Sequence, residues 1–93
     1  MEIKLSVGDL VRSLCGRDSG KVFCVIACPE DNYVFLADGK HRRLAHPKLK
    51  KVRHLEKVGV ISENVSAKFL RGAVVFDGEL NKAIRMALTD NEN

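Results

Sequence analysis

The sequence predicts a mainly β fold, a small five-stranded antiparallel barrel followed by a short C-terminal helical segment. Three observations predict it. Between residues 7 and 55, short runs rich in Val, Ile, Phe and Tyr are separated by turn residues, with no helical period between them. After Gly59 the apolar spacing changes to steps of three and four. The chain has 93 residues, 45% of them apolar and 30% charged, which fits a folded chain with room for one core; domains of this size bury only about 60 to 65% of their unfolded surface. The predicted division places the barrel at 1–58 and the helical extension at 59–93.

Gly8-Asp9 is a turn signal leading into the first strand, Leu10-Val11-Arg12-Ser13. Cys15-Gly16-Arg17-Asp18-Ser19-Gly20-Lys21 is rich in small and turn-prone residues and reads as a loop presenting Arg17 and Lys21. The seven apolar residues 22–28 are too short and too β-branched for a helix, so they predict a strand buried on both faces, closed by Pro29. After the turn 29–32, Tyr33-Val34-Phe35-Leu36-Ala37 is strand three. Asp38-Gly39 carries the signature of a type I′ hairpin, which makes Lys40-His41-Arg42-Arg43-Leu44 the return strand. Alternation puts charge on both of its faces, so it is expected at a sheet edge. Pro47 fixes a bend, and Lys51-Val52-Arg53-His54-Leu55 is the fifth strand.

In the C-terminal part, Ser62 can cap a helix ending near Arg71, with Gly72 as its stop. Asp77 can cap a second helix in which Leu80, Ala83, Ile84, Ala87 and Leu88 form one apolar stripe. That stripe needs a partner, which either the first helix together with the open side of the barrel, or a groove on another chain, can supply.

The longest apolar run is far below the roughly 20 residues of a membrane-spanning helix, and residues 1–4 lack the pattern of a signal peptide. The expectation is a cytoplasmic protein with no membrane role. Cys15, Cys24 and Cys28 are an odd number and read as free thiols. A zinc site would need short paired spacings, which neither the cysteines nor His41, His46 and His54 provide. On a strand, Cys24 and Cys28 stand about 13 Å apart, too far for one ion. No metal, no cofactor and no small-molecule substrate are expected.

Charge is distributed unevenly. Residues 40–57 hold eight Lys or Arg and one acid, a net +7, whereas the whole chain carries +4 and the remainder therefore −3. Cations crowded without neutralising acids repel one another, and a polyanion relieves that repulsion. Neutralising phosphates releases counterions, so binding of this kind weakens with salt.

Several ordered blocks carry a family resemblance: Gly8-Asp9-Leu10-Val11, then Ser13-x-x-Gly16-Arg17-Asp18-Ser19-Gly20-Lys21-Val22, then Ala37-Asp38-Gly39, Arg42, Pro47-Lys48 and His54-Leu55. Over residues 7–55, about half the chain, the sequence resembles the KOW motif family. Within it, the likeness is to bacterial stand-alone KOW proteins similar to the large-subunit ribosomal proteins of group fourteen of archaea and eukaryotes. The resemblance implies an SH3-like barrel and an RNA role, usually on ribosomal RNA, with the 16–21 loop near the nucleic acid. It does not extend to residues 59–93.

Three function classes follow. The first is binding of structured, ribosomal-type RNA by phosphate contacts from Arg17, Lys21, Lys40, His41, Arg42, Arg43, Lys48, Lys50, Lys51 and Arg53. Tyr33 and Phe35 share a strand face, where core packing is the expectation rather than base stacking. The second is a protein-interaction module docking on ribosomal proteins or the transcription machinery. The third, an enzyme, finds no support: the sequence shows no nucleotide-binding glycine loop, His-Glu pairing or carboxylate couple, and no catalytic residue is assigned.

Overall fold

The computed structural model describes residues 4–90. Strands β1 (Asp9–Ser13), β2 (Val22–Glu30), β3 (Tyr33–Ala37), β4 (Lys48–Lys51) and β5 (Leu55–Val60) form one antiparallel sheet, followed by helices α1 (Glu63–Leu70) and α2 (Asp77–Asp90). The strand order is β4-β3-β2-β1-β5. Three hairpin neighbours are thus sequential, and β5 returns to lie beside β1. A 3₁₀ turn, Val52–His54, links the two edge strands. The sheet is open: among the described residues no strand pairing joins β4 to β5, so the predicted barrel is not closed by a ladder.

Opposed residues of antiparallel strands share a face, and the register therefore assigns two cores. Val11 opposes Phe23, and Val25 opposes Leu36. These pack with Leu5, Val34, Val52 and Leu55 into one buried cluster. On the reverse face Leu10 opposes Cys24, which opposes Ala37. There the helices close over the sheet, contributing Val65, Leu80 and Ile84, with Ile61 ahead of α1. Over residues 23–25 both faces of β2 are covered, which is why this part is apolar without alternation. Further on, Ile26 and Ala27 are half buried and Cys28 is exposed, so the predicted burial of 22–28 on both faces holds only for its first half. Ala83, Ala87 and Leu88 complete the stripe as partly buried neighbours. The helical segment therefore shares a core with the sheet, and residues 59 and 60 belong to β5. Among the described residues, no helix is long and apolar enough to cross a membrane.

Two element predictions need correction. Pro29 does not end β2, which runs on to Glu30. The β1 ladder stops at Cys24, followed by one bond from Gly8 N to Val25 O, so Pro29 lies beyond the reach of β1 and costs no ladder bond there.

The larger correction concerns Asp38-Gly39, which opens a ten-residue connection, 38–47, instead of a tight hairpin. The Asp38 carboxylate accepts the backbone N–H groups of Lys40 (2.9 Å) and Arg42 (2.8 Å) and lies 3.1 Å from His41 Nδ1. Asp38 N and Gly39 N both donate to Arg42 O. The amides that a return strand would offer to β3 are thus spent within the loop. Helix α2 completes the fixing: Asn81 Nδ2 donates to Asp38 O and Leu44 N donates to Asp77 Oδ1, at 3.2 and 2.8 Å. The return strand is β4, and the segment predicted as strand five is mostly the 3₁₀ turn, with β5 starting at Leu55.

Gly39 shows how closely α2 is seated, because a Cβ there would lie 2.1 Å from Asp77 O, at φ +76°. Gly20 has a similar φ of +87° but nothing within 4 Å. Gly20→Ala is therefore expected to cost about 1 kcal/mol, the backbone term alone. Gly39→Ala is expected to cost more than about 3 kcal/mol, because α2 must also shift. Urea unfolding of the two variants measures the difference, and equal losses would contradict the docking of α2 on this loop.

Candidate nucleic-acid interface

The register places two connections at one end of the sheet. Arg12 opposes Val22, Cys24 opposes Ala37, and Leu36 opposes Lys48, so the β1–β2 loop (14–21) and the β3–β4 loop (38–47) emerge on the same side. The first loop is closed by Ser13 N to Lys21 O and Gly20 N to Ser13 O, at 2.9 and 2.8 Å. Val52 N donates to Asn32 O at the far end of the sheet and Leu14 N donates to His54 O, so the 3₁₀ turn runs from the β2–β3 turn to beside this loop. Arg53 is exposed on that turn.

A buried polar network joins the loop to β4. Lys50 Nζ donates to Ser13 Oγ (2.7 Å), Cys15 O (2.7 Å) and Asp18 Oδ1 (2.8 Å), which uses all three donors of the ammonium. Lys48 Nζ donates to Asp18 Oδ2 at 2.7 Å, and the Ser13 hydroxyl donates to Asp18 Oδ1 at 2.8 Å. Lys50 is only 7% exposed and Asp18 8%. Burial alone would raise the Asp18 carboxyl. Hydrogen bonds from Lys48, Lys50 and Ser13, with the Lys50 charge, outweigh it and hold the group well below the usual carboxylate range.

Two of the expected RNA contacts are thereby corrected. Lys48 and Lys50 oppose Leu36 and Val34, residues of the core face, so both side chains turn inward. Both ammonium groups are bound to Asp18 and tie the loop to β4. Leu49, between them, is half exposed on the other face. Lys51 also departs from the group. It opposes Tyr33 at the far end of β4, on the face away from Lys48 and Lys50.

The remaining candidates come together at the loop end. Arg17 and Lys21 are exposed on the first loop; Lys40, His41 and Arg43 are exposed on the second, and Arg42 is half buried. Elsewhere on the fold Arg12 pairs with Glu56, Lys57 with Asp9 and Lys68 with Glu79, whereas Lys4, Arg71, Lys82 and Arg85 form no ion pair among the described residues. Among the described residues, Arg17, Lys21, Lys40, Arg42, Arg43, Lys51 and Arg53 form no ion pair. His41 faces Asp38, whose carboxyl is held below its ordinary value because the amides of Arg42 and Lys40, with His41, outweigh the effect of burial.

Sequence reasoning missed the residues that position these cations: Ser13, Asp18, Asp38, Asp77 and Asn81. Of these, Asp18 stands in the turn-rich segment between Gly16 and Gly20, and Asp38 stands beside Gly39 just ahead of the basic segment. The cysteines are free; Cys24 is buried, and burial with the Asp9 charge pushes its thiol up to about 12. Burial and Asp9 also raise the Cys28 thiol. Among the described residues, no three His, Cys, Asp or Glu side chains cluster as metal ligands.

Asp18→Asn leaves two lysines facing a neutral amide in a buried site and is expected to cost about 3 kcal/mol at pH 7. Because the folded-state value is depressed, the Asp18 contribution is complete above the unfolded-state value of about 3.9 and is lost as the pH falls from there. Urea unfolding at neutral and acid pH is therefore expected to show a shallower acid loss in the variant than in the wild type. Parallel acid limbs would contradict this account of the network.

No family model matches the sequence, and no curated protein matches it.

Proposed function

We propose that the chain binds structured RNA, with ribosomal RNA the expected class, and performs no catalysis. Arg17, Lys21, Lys40, Arg42, Arg43 and Arg53 contact phosphates, His41 lies among them, and Lys48 and Lys50 hold the loops in place. One observation carries the reading: unpaired cations on two loops at one sheet end, with one loop braced through Asp18 and the other through Asp38. Cations held in position lose little side-chain freedom when a polyanion arrives, and phosphate geometry rather than base sequence is what they can read.

The KOW resemblance fits this reading. We take the open sheet to be an SH3-like arrangement, supported by the strand order, by the 3₁₀ link between the edge strands and by a core cluster drawn from β1, β2, β3 and β5. Gly20, with positive φ and no neighbour within 4 Å, leaves room for a phosphate to approach the backbone.

A protein-docking reading has one observation in its favour. Leu70, Val74 and Phe76, around the α1–α2 connection, are 72, 71 and 71% exposed. Such a module would bind a protein of the ribosome or the transcription machinery, and Phe76→Ser would remove that partner without touching RNA affinity.

Filter binding to folded ribosomal RNA across a salt series tests the proposal. Affinity is expected to fall about 100-fold or more between roughly 50 and 200 mM salt. The double variant Arg42→Glu, Arg43→Glu is expected to bind more weakly and to lower the salt slope by about two. Affinity indifferent to salt overturns the phosphate mechanism.

A further inference from the structure

Tyr33 and Phe35 lie two residues apart on β3, and neither belongs to either core cluster. Their face is the one the helices cover, but the covered part lies further along, at Ala37, Cys24 and Leu10. Around the two rings the register sets Leu49 and Lys51 on the β4 side, and Ala27 and Glu30 on the β2 side. Both rings are half buried, Leu49 is 50% exposed, and Ala27 is too small to roof Phe35. Lys51 forms no ion pair among the described residues.

Side chains two apart on a strand stand about 7 Å apart on one face. That spacing suits successive unstacked nucleotides, and aromatic rings on an exposed sheet surface are a recurrent means of holding single-stranded bases. The charges give the platform a direction. Lys51 lies across Tyr33 on one side and Glu30 on the other, so a sugar–phosphate chain is drawn to the β4 side while its bases lie over the rings.

We infer that Tyr33 and Phe35, with Leu49 and Lys51, form a second site on this chain, a stacking platform for unpaired nucleotides of single-stranded RNA, distinct from the loop-borne phosphate site. The inference rests on the RNA-binding reading and extends it: the loops hold folded RNA, and the platform takes an unpaired segment beside it.

The protein carries its own probe, since Tyr33 is the only tyrosine and there is no tryptophan. The test titrates the full chain with a short single-stranded oligouridylate and, separately, with a folded duplex RNA, following tyrosine emission and affinity. The oligouridylate is expected to quench the emission. Tyr33→Leu and Phe35→Leu, each checked for folding by circular dichroism, are expected to weaken oligouridylate binding on the order of 10-fold and to leave duplex affinity unchanged. Lys51→Glu, which removes no apolar contact from either core, is expected to weaken it too, and Glu30→Gln to tighten it. Duplex binding without oligouridylate binding, or oligouridylate binding untouched by these substitutions, overturns the platform alone. Failure to bind either RNA overturns the RNA reading along with it.

Discussion

The Lys50 ammonium buried against Asp18 is the interaction on which the loop end of this fold depends. An ammonium moved out of water loses several kcal/mol of solvation, and only a complete set of acceptors offsets this. Ser13, Cys15 and Asp18 supply three acceptors at 2.7 to 2.8 Å, and Lys48 occupies the other carboxylate oxygen. Because all of these partners lie on β1, the following loop and β4, the network closes only if that loop folds back over the end of the sheet. A glycine-rich loop that would otherwise sample many conformations is thereby given one.

The second loop is held by different means to a similar end. Asp38 captures the amides of its own loop, and α2 reaches across through Asp77 and Asn81. The C-terminal half is thus part of the site's construction. The stripe of Leu80 and Ile84 seats α2 on the sheet, and that seating brings the first turns of the helix against the basic loop. Packing on one face and positioning of charge at one edge are two results of the same docking.

Much of this was legible in the sequence. The first three strands and both helices follow from their apolar periods: the start of β2 is apolar on both faces because both are covered there, and the α2 stripe has one possible period. The failures cluster between Asp38 and His54, where local hydrogen bonds outcompete the hairpin that Asp38-Gly39 suggests. The facing of β4 has the same character. In Lys48-Leu49-Lys50-Lys51, alternation would place Leu49 inside, yet the lysines take the inner face because Asp18 waits there, in a loop 30 residues earlier in the chain for Lys48. A partner so distant leaves no trace in the local pattern. For the same reason the ten cationic candidates separate only in three dimensions, into those facing solvent at the loop end, the two internal lysines, and Lys51 on the other face.

In the proposed mode of binding, the outward cations at the loop end meet RNA while the inward lysines hold the scaffold. Amide chemical shifts of the intact chain titrated with folded ribosomal RNA distinguish the two groups. Perturbation is expected to concentrate at Arg17, Gly20, Lys21 and the segment 40–43, with Lys50 and the two core clusters little changed. Perturbation centred on Leu70, Val74 and Phe76, with the two loops silent, would contradict that mode.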